Sequence, residues 1–234
     1  GAFTPKEASD VDREEEVYRD NLVGTRALLE SLPKIPEKIV FASTIDIYAR
    51  PLENTILHED SKLGPAGLYG ASKLFLEQLI KSYAKQYSCA YAILRCGHIF
   101  GPGEETYFKL IPQLIRDLLD NRPPTLYGDG STKRDLLYVA DAVEAFIRAA
   151  ILDHKKLGPI NVVRGKSESI RDIAEMLIKI TDFKGEIEYL KDKPVGSSFL
   201  FDNKMMRDAL GVWEFVSLQT GLERELQYFR GMQK

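Results

Sequence analysis

Tyr69 and Lys73 stand four residues apart in Leu68-Tyr69-Gly70-Ala71-Ser72-Lys73. On an α-helix, positions i and i+4 share a face, so this spacing sets a phenol beside an ammonium. A neighbouring positive charge favours the phenolate and draws the tyrosine toward the working range of an acid/base catalyst. The lysine keeps donors to spare for a ribose hydroxyl. An enzyme that moves a hydride between a nicotinamide and an alcohol or ketone needs such a pair. Alone the pair is weak, because an exposed amphipathic helix carries Tyr-x-x-x-Lys as readily.

The surrounding elements follow from apolar period and caps. Residues from about 10 to 32 read as a helix with Asp10 as its cap, acids in its first turns, and Val17, Leu22, Leu28, Leu29 and Leu32 in helical period. Lys38 to Ala42 reads as a buried strand that ends in Ser43-Thr44, and Ala90 to Leu94 reads as another. A long helix over roughly 68–87 lies between them. Helix, strand, helix, strand predicts an α/β protein with a parallel sheet and crossover helices. After Gly101-Pro102-Gly103 the pattern loosens: a helix near 106–119, a strand around 136–139, a helix from Asp141 to about 153, a strand at 160–163, and a helix capped by Ser169. A short strand at 187–190 and helices near 203–210 and 217–230 complete what looks like a smaller lobe.

Composition narrows the function classes. With 234 residues, 44% hydrophobic and 29% charged, the chain has room for one large domain or two small ones. A formal net charge of −3 with no basic stripe argues against a nucleic-acid partner. Cys89 and Cys96 are too few for a disulfide framework and are expected as buried free thiols in a reducing compartment. His58, His98 and His154 lack ligand spacing, so no metal site is expected. No apolar run reaches the length of a membrane span and no signal peptide heads the sequence, so the expected location is cytoplasmic.

Four further segments accompany the Tyr69–Lys73 helix in a fixed order. Before it come Tyr18-Arg19-Asp20-Asn21-Leu22-Val23-Gly24-Thr25-Arg26-Ala27-Leu28-Leu29 and Phe41-Ala42-Ser43-Thr44-Ile45-Asp46-Ile47-Tyr48. After it come Leu94-Arg95-Cys96-Gly97-His98-Ile99-Phe100-Gly101-Pro102-Gly103 and the run Gly128-Asp129-Gly130 to Lys133-Arg134-Asp135-Leu136-Leu137-Tyr138. Together these motifs resemble the extended short-chain dehydrogenase/reductase family, and more narrowly its NAD-dependent epimerase/dehydratase group acting on nucleotide sugars. The resemblance runs from about residue 17 to the C-terminus. It implies a Rossmann-like, doubly wound parallel sheet with a smaller α/β C-terminal substrate lobe. Residues 1–103 would be the later part of the cofactor-binding domain. Residues 104–234 would be mainly the substrate lobe, with about 135–163 returning to the sheet.

The resemblance also implies roles, each beside a plainer reading. Asn21 would fix a water relay to the active-site lysine, or satisfy a local backbone break. Gly24 would let its helix approach the sheet closely. Thr44 would hydrogen-bond the reacting sugar oxygen and Ser43 would lie near the nicotinamide, or both merely end a strand. Tyr69 would be the base. Lys73 would hold the ribose and lower the phenol pKa. Cys96 and Gly97 would line the nicotinamide pocket through backbone groups. His98 stands where the family has an Asn that contacts the sugar nucleotide, or is a structural histidine. Arg134 would bind the substrate diphosphate through its guanidinium fork, or form a surface ion pair. Asp135 would brace Arg134 or cap the local turn. The implied cofactor is NAD or NADP, the implied partner a nucleotide-diphosphate sugar. A homodimer is implied through helices near 10–32 and 68–87.

The family's opening strand and Gly-x-x-Gly-x-x-Gly turn, which receives the pyrophosphate at a helix N-terminus, have no counterpart here. Two explanations stand: these residues belong to a longer polypeptide, which the retained Asn21, Thr44, Tyr69 and Lys73 favour, or a short form has lost its cofactor. Family dehydratases carry an acid–base carboxylate pair just after the catalytic Thr; here those positions hold Ile45 and Asp46. The expected activity is therefore epimerisation. A keto-sugar reductase, a dehydratase and a non-catalytic dimeric scaffold are the alternatives.

Overall fold

The residues described by the computed structural model are 3–4, 13–50, 55–153, 155–192 and 196–232. Asp10, His154 and Lys193, which precedes Pro194 and aligns loosely with a nucleotide contact, lie outside them. Helix α1 opens as Glu14–Glu16, runs through a π-helical turn over Val17–Val23, and continues as Gly24–Glu30. Strand β1 (Lys38–Thr44) leads into a 3-10 turn at Ile45–Ile47, followed by β2 (Ile56–Leu57) and helix α2 (Leu68–Tyr87). Next come β3 (Ala90–Cys96), β4 (His98–Phe100), α3 (Leu110–Leu119), β5 (Thr125–Tyr127) and β6 (Lys133–Tyr138). Then follow α4 (Val139–Ile151), β7 (Lys156–Val162), β8 (Ser167–Ser169) and α5 (Ile170–Thr181). The last elements are β9 (Glu188–Leu190), β10 (Leu200–Phe201), α6 (Lys204–Leu210) and α7 (Leu218–Met232).

The apolar runs on either side of the Tyr69 helix become neighbours. β1, β3 and β7 form a parallel sheet in that order, with Ser43 opposite Arg95 and Thr44 opposite Cys96. Parallel neighbours require crossovers, and α2 supplies the one between β1 and β3. A second sheet sets β4 parallel to β6 and β6 antiparallel to β8. One core lies where Ala142, Ala145 and Ala149 of α4 meet Ala92, Leu94 and Ile160; small side chains let this helix come close. The other lies among α3, α5 and α7, where Leu114, Ile115, Leu177 and Leu222 are at most 1% exposed. Full burial of each such side chain contributes about 1.5–3 kcal/mol.

Two expectations need correction. The helix foreseen near 106 starts at Leu110 instead, after the extended Lys109. Pro112 explains the delay: it has no N–H and its ring clashes with a helical carbonyl four residues earlier, so it fits only a first turn. Gly24 is not a close-packing glycine, since a Cβ there would meet only Arg19 O at 3.4 Å. Gly70 has that role, because a Cβ there would lie 2.4 Å from Asp46 O, so α2 rests directly on the turn after β1. Strand β4 went unforeseen; three residues are too few for a period. The Ser169 cap is present in full, with Ser169 Oγ accepting from Asp172 N at 3.0 Å and Asp172 Oδ2 accepting from Ser169 N at 3.3 Å.

Candidate active site

The carboxyl ends of parallel strands are where such sheets bind ligands. Here they open on a cleft of about 500 Å³ lined by Ser43, Thr44, Tyr69, Cys96, Gly97, His98 and Arg134. Asp46, Glu104 and Lys109 line it too. Asn21 and Lys73 are buried outside this lining.

β1 ends at Thr44, whose extended backbone caps the following turn: Thr44 Oγ1 accepts from Asp46 N and donates to Asp46 Oδ2, each at 3.2 Å. The Tyr69 phenol joins this hydroxyl and that of Thr4 by hydrogen bonds. Burial, and then the Asp46 carboxyl, push the phenol up to about 12. The expected depression by Lys73 is therefore not met. The Lys73 ammonium lies 5.8 Å from the Tyr69 ring centroid and 5.2 Å from that of Phe41, and donates to Ala42 O at 2.9 Å. It sits over the rings rather than at the hydroxyl, and burial lowers its own pKa. Burial also raises Asp46.

Asn21 lies inside the π-helical turn of α1 with no exposure. Its Nδ2 donates to Ser72 Oγ at 3.0 Å, and Ser72 Oγ donates to Tyr69 O at 2.7 Å, which ties α1 to the Tyr69 turn. Asn21 Oδ1 is buried and meets no donor among the described residues.

Ser43 lines the cleft, but its hydroxyl donates away from it, to Glu77 Oε1 at 2.6 Å. Burial pushes the Cys96 thiol up to about 12, with Lys73 opposing, so Cys96 is a neutral wall rather than a nucleophile. Gly97 N donates to Val162 O at 3.0 Å, and a Cβ on Gly97 would lie 2.8 Å from Val163 Cγ1. Glycine is thus required where the chain steps from β3 to β4.

Burial, reinforced by Arg134 and Lys109, lowers His98 to about 4, so its imidazole is neutral at physiological pH. Its Nδ1 is buried and meets no partner among the described residues. Arg134 donates from Nη1 to Lys133 O and Ser197 O, both at 2.9 Å, and makes no ion pair among the described residues. Asp135 neither braces Arg134 nor caps a local turn. It accepts from Arg164 N at 2.8 Å and Gly165 N at 2.7 Å, clamping β6 to the turn after β7.

A buried network behind the cleft escaped sequence reasoning. Arg95 donates to both Glu77 oxygens at 3.0 Å and to Tyr48 Oη at 2.9 Å. Tyr48 Oη donates to Asn161 Oδ1 at 2.6 Å, and Glu59 Oε1 accepts from Asn161 N at 2.8 Å. The available signal was Arg95 and Glu77 in otherwise apolar stretches. Among the described residues, no cluster of three or more His, Cys, Asp or Glu is placed to hold a metal ion, and no helix is long and apolar enough to cross a membrane.

The sequence profile of the NAD dependent epimerase/dehydratase family matches residues 2–162, well over half of the chain. The chain belongs to the NAD dependent epimerase/dehydratase family. Within this epimerase/dehydratase family it is similar to a trifunctional UDP-glucose 4,6-dehydratase/UDP-4-keto-6-deoxy-D-glucose 3,5-epimerase/UDP-4-keto-L-rhamnose-reductase of Arabidopsis thaliana. That protein is 27% identical over 92% of this chain and 33% of its own length, so the chain spans about a third of it. A putative UDP-glucose 4-epimerase of Methanocaldococcus jannaschii is 28% identical over 90% of this chain and 69% of its own. The fold agrees with that of the UDP-glucuronic acid 4-epimerase of Bacillus cereus, solved with UDP-glucuronic acid and NAD. The two share a TM-score of 0.85 and 27% identity, over 99% of this chain and 74% of that one. The architecture is accordingly an α/β, Rossmann-like one.

Proposed function

We propose that this chain forms the sugar-side and nicotinamide-side parts of a nucleotide-sugar epimerase that uses NAD. One observation carries the reading: a half-buried tyrosine hydrogen-bonded to a threonine, in a cleft that also holds Arg134 and Lys109. A sugar hydroxyl suits the first pair and a diphosphate suits the two cations. We read residues 1–103 with 135–163 as the cofactor side, and the rest of 104–234 as the substrate lobe.

The residues present suit the nicotinamide end of NAD. Among the described residues Lys73 has one acceptor, Ala42 O, which leaves it donors for ribose hydroxyls. Cys96 and Gly97 offer a neutral wall, and the buried, unfilled Asn21 Oδ1 provides an acceptor for a proton relay. Bound NAD supplies the hydride acceptor, and its positively charged ring favours the Tyr69 phenolate. Thr44 holds the reacting oxygen, Tyr69 takes its proton, and Arg134 fixes the diphosphate. Asp46 favours a second reading. A carboxyl at the cleft beside Thr44, with its pKa raised by lost hydration although the residue as a whole is exposed, is a proton donor for elimination, while Ile45 leaves the other dehydratase position without one.

The test is incubation with NAD and UDP-glucose in deuterated water, followed by proton NMR. An epimerase that removes and restores the same hydrogen forms the 4-epimer without deuterium. Deuterium at the carbon beside a ketone supports the dehydratase. No turnover of this or of UDP-glucuronic acid, together with no NAD binding, leaves the scaffold reading.

We further propose a homodimer through α1 and α2, which expose Tyr18 (64%), Leu28 (62%) and Phe75 (57%). Changing Leu28 and Phe75 together to Asp is expected to halve the mass seen by analytical ultracentrifugation. A parent that already sediments as a monomer ends this proposal.

A further inference from the structure

Glu104 and Glu225 are 7% and 0% exposed. Glu104 sits in the loop between β4 and α3 and lines the cleft; Glu225 is in the middle of α7. Among the described residues the Glu225 oxygens accept no hydrogen bond and the Glu104 oxygens meet only the Lys109 ammonium, as an ion pair, yet the two side chains lie within hydrogen-bonding reach of each other. Two bare carboxylates repel in such a place, whereas one proton between them turns the repulsion into a hydrogen bond. Burial first, and the Glu104 charge second, hold Glu225 far above the usual carboxylate range, while Lys109 pulls the other way.

Lys109 Nζ lies 3.2 Å from Glu104 Oε2, and Lys109 also lines the cleft. The loop is tied to α7 a second time through Tyr228 Oη and Glu105 Oε2 at 3.2 Å, and Arg116 donates to Glu105 O. Around the rest of α7 lie the apolar cluster, Arg224 over Tyr138, Arg116 over Phe229, and a surface pocket that Lys179 shares with Glu223 and Arg230.

We propose that Glu104 and Glu225 share one proton, and that this proton positions Lys109 at the cleft to meet an anionic ligand. With the proton, the pair carries one negative charge, which Lys109 balances. Without it, a second negative charge appears at the cationic end of the cleft and draws Lys109 inward. Glu104 and Glu225 are thus positioning residues. Only the class of ligand, a nucleoside diphosphate, rests on the function proposed above.

The sign of the pH effect follows from a carboxyl that binds its proton more tightly folded than unfolded. Stability is greatest at low pH and falls as pH rises from the unfolded value toward the folded one. Glu225→Gln imitates the protonated acid and removes the dependence. Its melting temperature should match the parent near about pH 5 and exceed it by about 3 °C or more near pH 9. Glu104→Gln is the second variant, with the same expectation, should Glu225→Gln not fold. Parallel melting curves across that range overturn the shared proton. Titration calorimetry with UDP tests the positioning: parent affinity should fall about tenfold between roughly pH 7.5 and 9.5, and that of Glu225→Gln less than about threefold. Equal falls overturn the role of Lys109. UDP that binds neither protein at any pH overturns that role and the nucleotide-sugar reading together, while the melting curves still decide the proton.

Discussion

Tyr69→Phe is expected to lower turnover by about 10²–10⁴-fold while leaving the fold and UDP binding in place. The ring still packs under the Lys73 ammonium, and what is lost is the hydroxyl that bonds Thr44 and Thr4. A lost hydrogen bond of this kind costs only about 0.5–1.5 kcal/mol of stability. On the proposed mechanism, catalysis also loses its proton acceptor. A phenol pushed up to about 12 is almost wholly protonated near neutrality, so the reactive fraction grows as pH rises. Parent initial rates should therefore climb with pH toward the alkaline side, by up to about tenfold per unit, and the residual rate of the variant should not. Initial rates of UDP-sugar turnover from about pH 6 to 9, with UDP binding measured on both proteins, make the comparison. Turnover of Tyr69→Phe equal to that of the parent removes the tyrosine from the mechanism.

Glu77→Ala carries the largest expected loss of stability. Glu77 and Arg95 are 0% and 2% exposed, and both carboxylate oxygens accept from the guanidinium at 3.0 Å. Removing the acid strands a buried cation, strips Ser43 of its acceptor and leaves Tyr48 as the nearest side-chain partner of Arg95. The expected cost is about 3–5 kcal/mol, or a melting point lowered by roughly 6–20 °C. Replacing both partners, Glu77→Ala with Arg95→Leu, should cost less than the single change because no charge is left unpaired. A single change within about 1 kcal/mol of the parent in urea denaturation would show that water or another group satisfies Arg95. The consequence for function is local: Ser43 and Thr44 end the strand that this pair supports.

Short-range rules made much of the scaffold legible. Apolar period located Leu68–Tyr87 and the two strands it joins, and the Ser169 cap was readable from residue type alone, because each depends on neighbours within a few positions. The Pro112 start of α3 follows from a local rule as well. The π-helical turn around Asn21 was not readable, since an i→i+5 bond leaves no distinctive spacing of residue types. The candidate site was legible in part for a different reason. Its side chains come from strand ends and one helix turn, and the resemblance implied roles for them.

Charge states were another matter. From the chain alone, Lys73 sits one turn from Tyr69 and ought to lower its pKa. In the folded protein Lys73 bonds Ala42 O, while Asp46, held against α2 through Gly70, and burial act on the phenol instead. Glu77 meets Arg95, Asp135 meets the Arg164–Gly165 turn, and Glu104 meets Glu225, across separations no local pattern encodes. Periodicity and caps are written in neighbouring residues, so they identify elements, while the five motifs carried the resemblance to the family. Desolvation and Coulomb interaction depend on distances in space, so which groups hold protons, and which hydroxyl faces the cleft, were settled when the strands and helices packed.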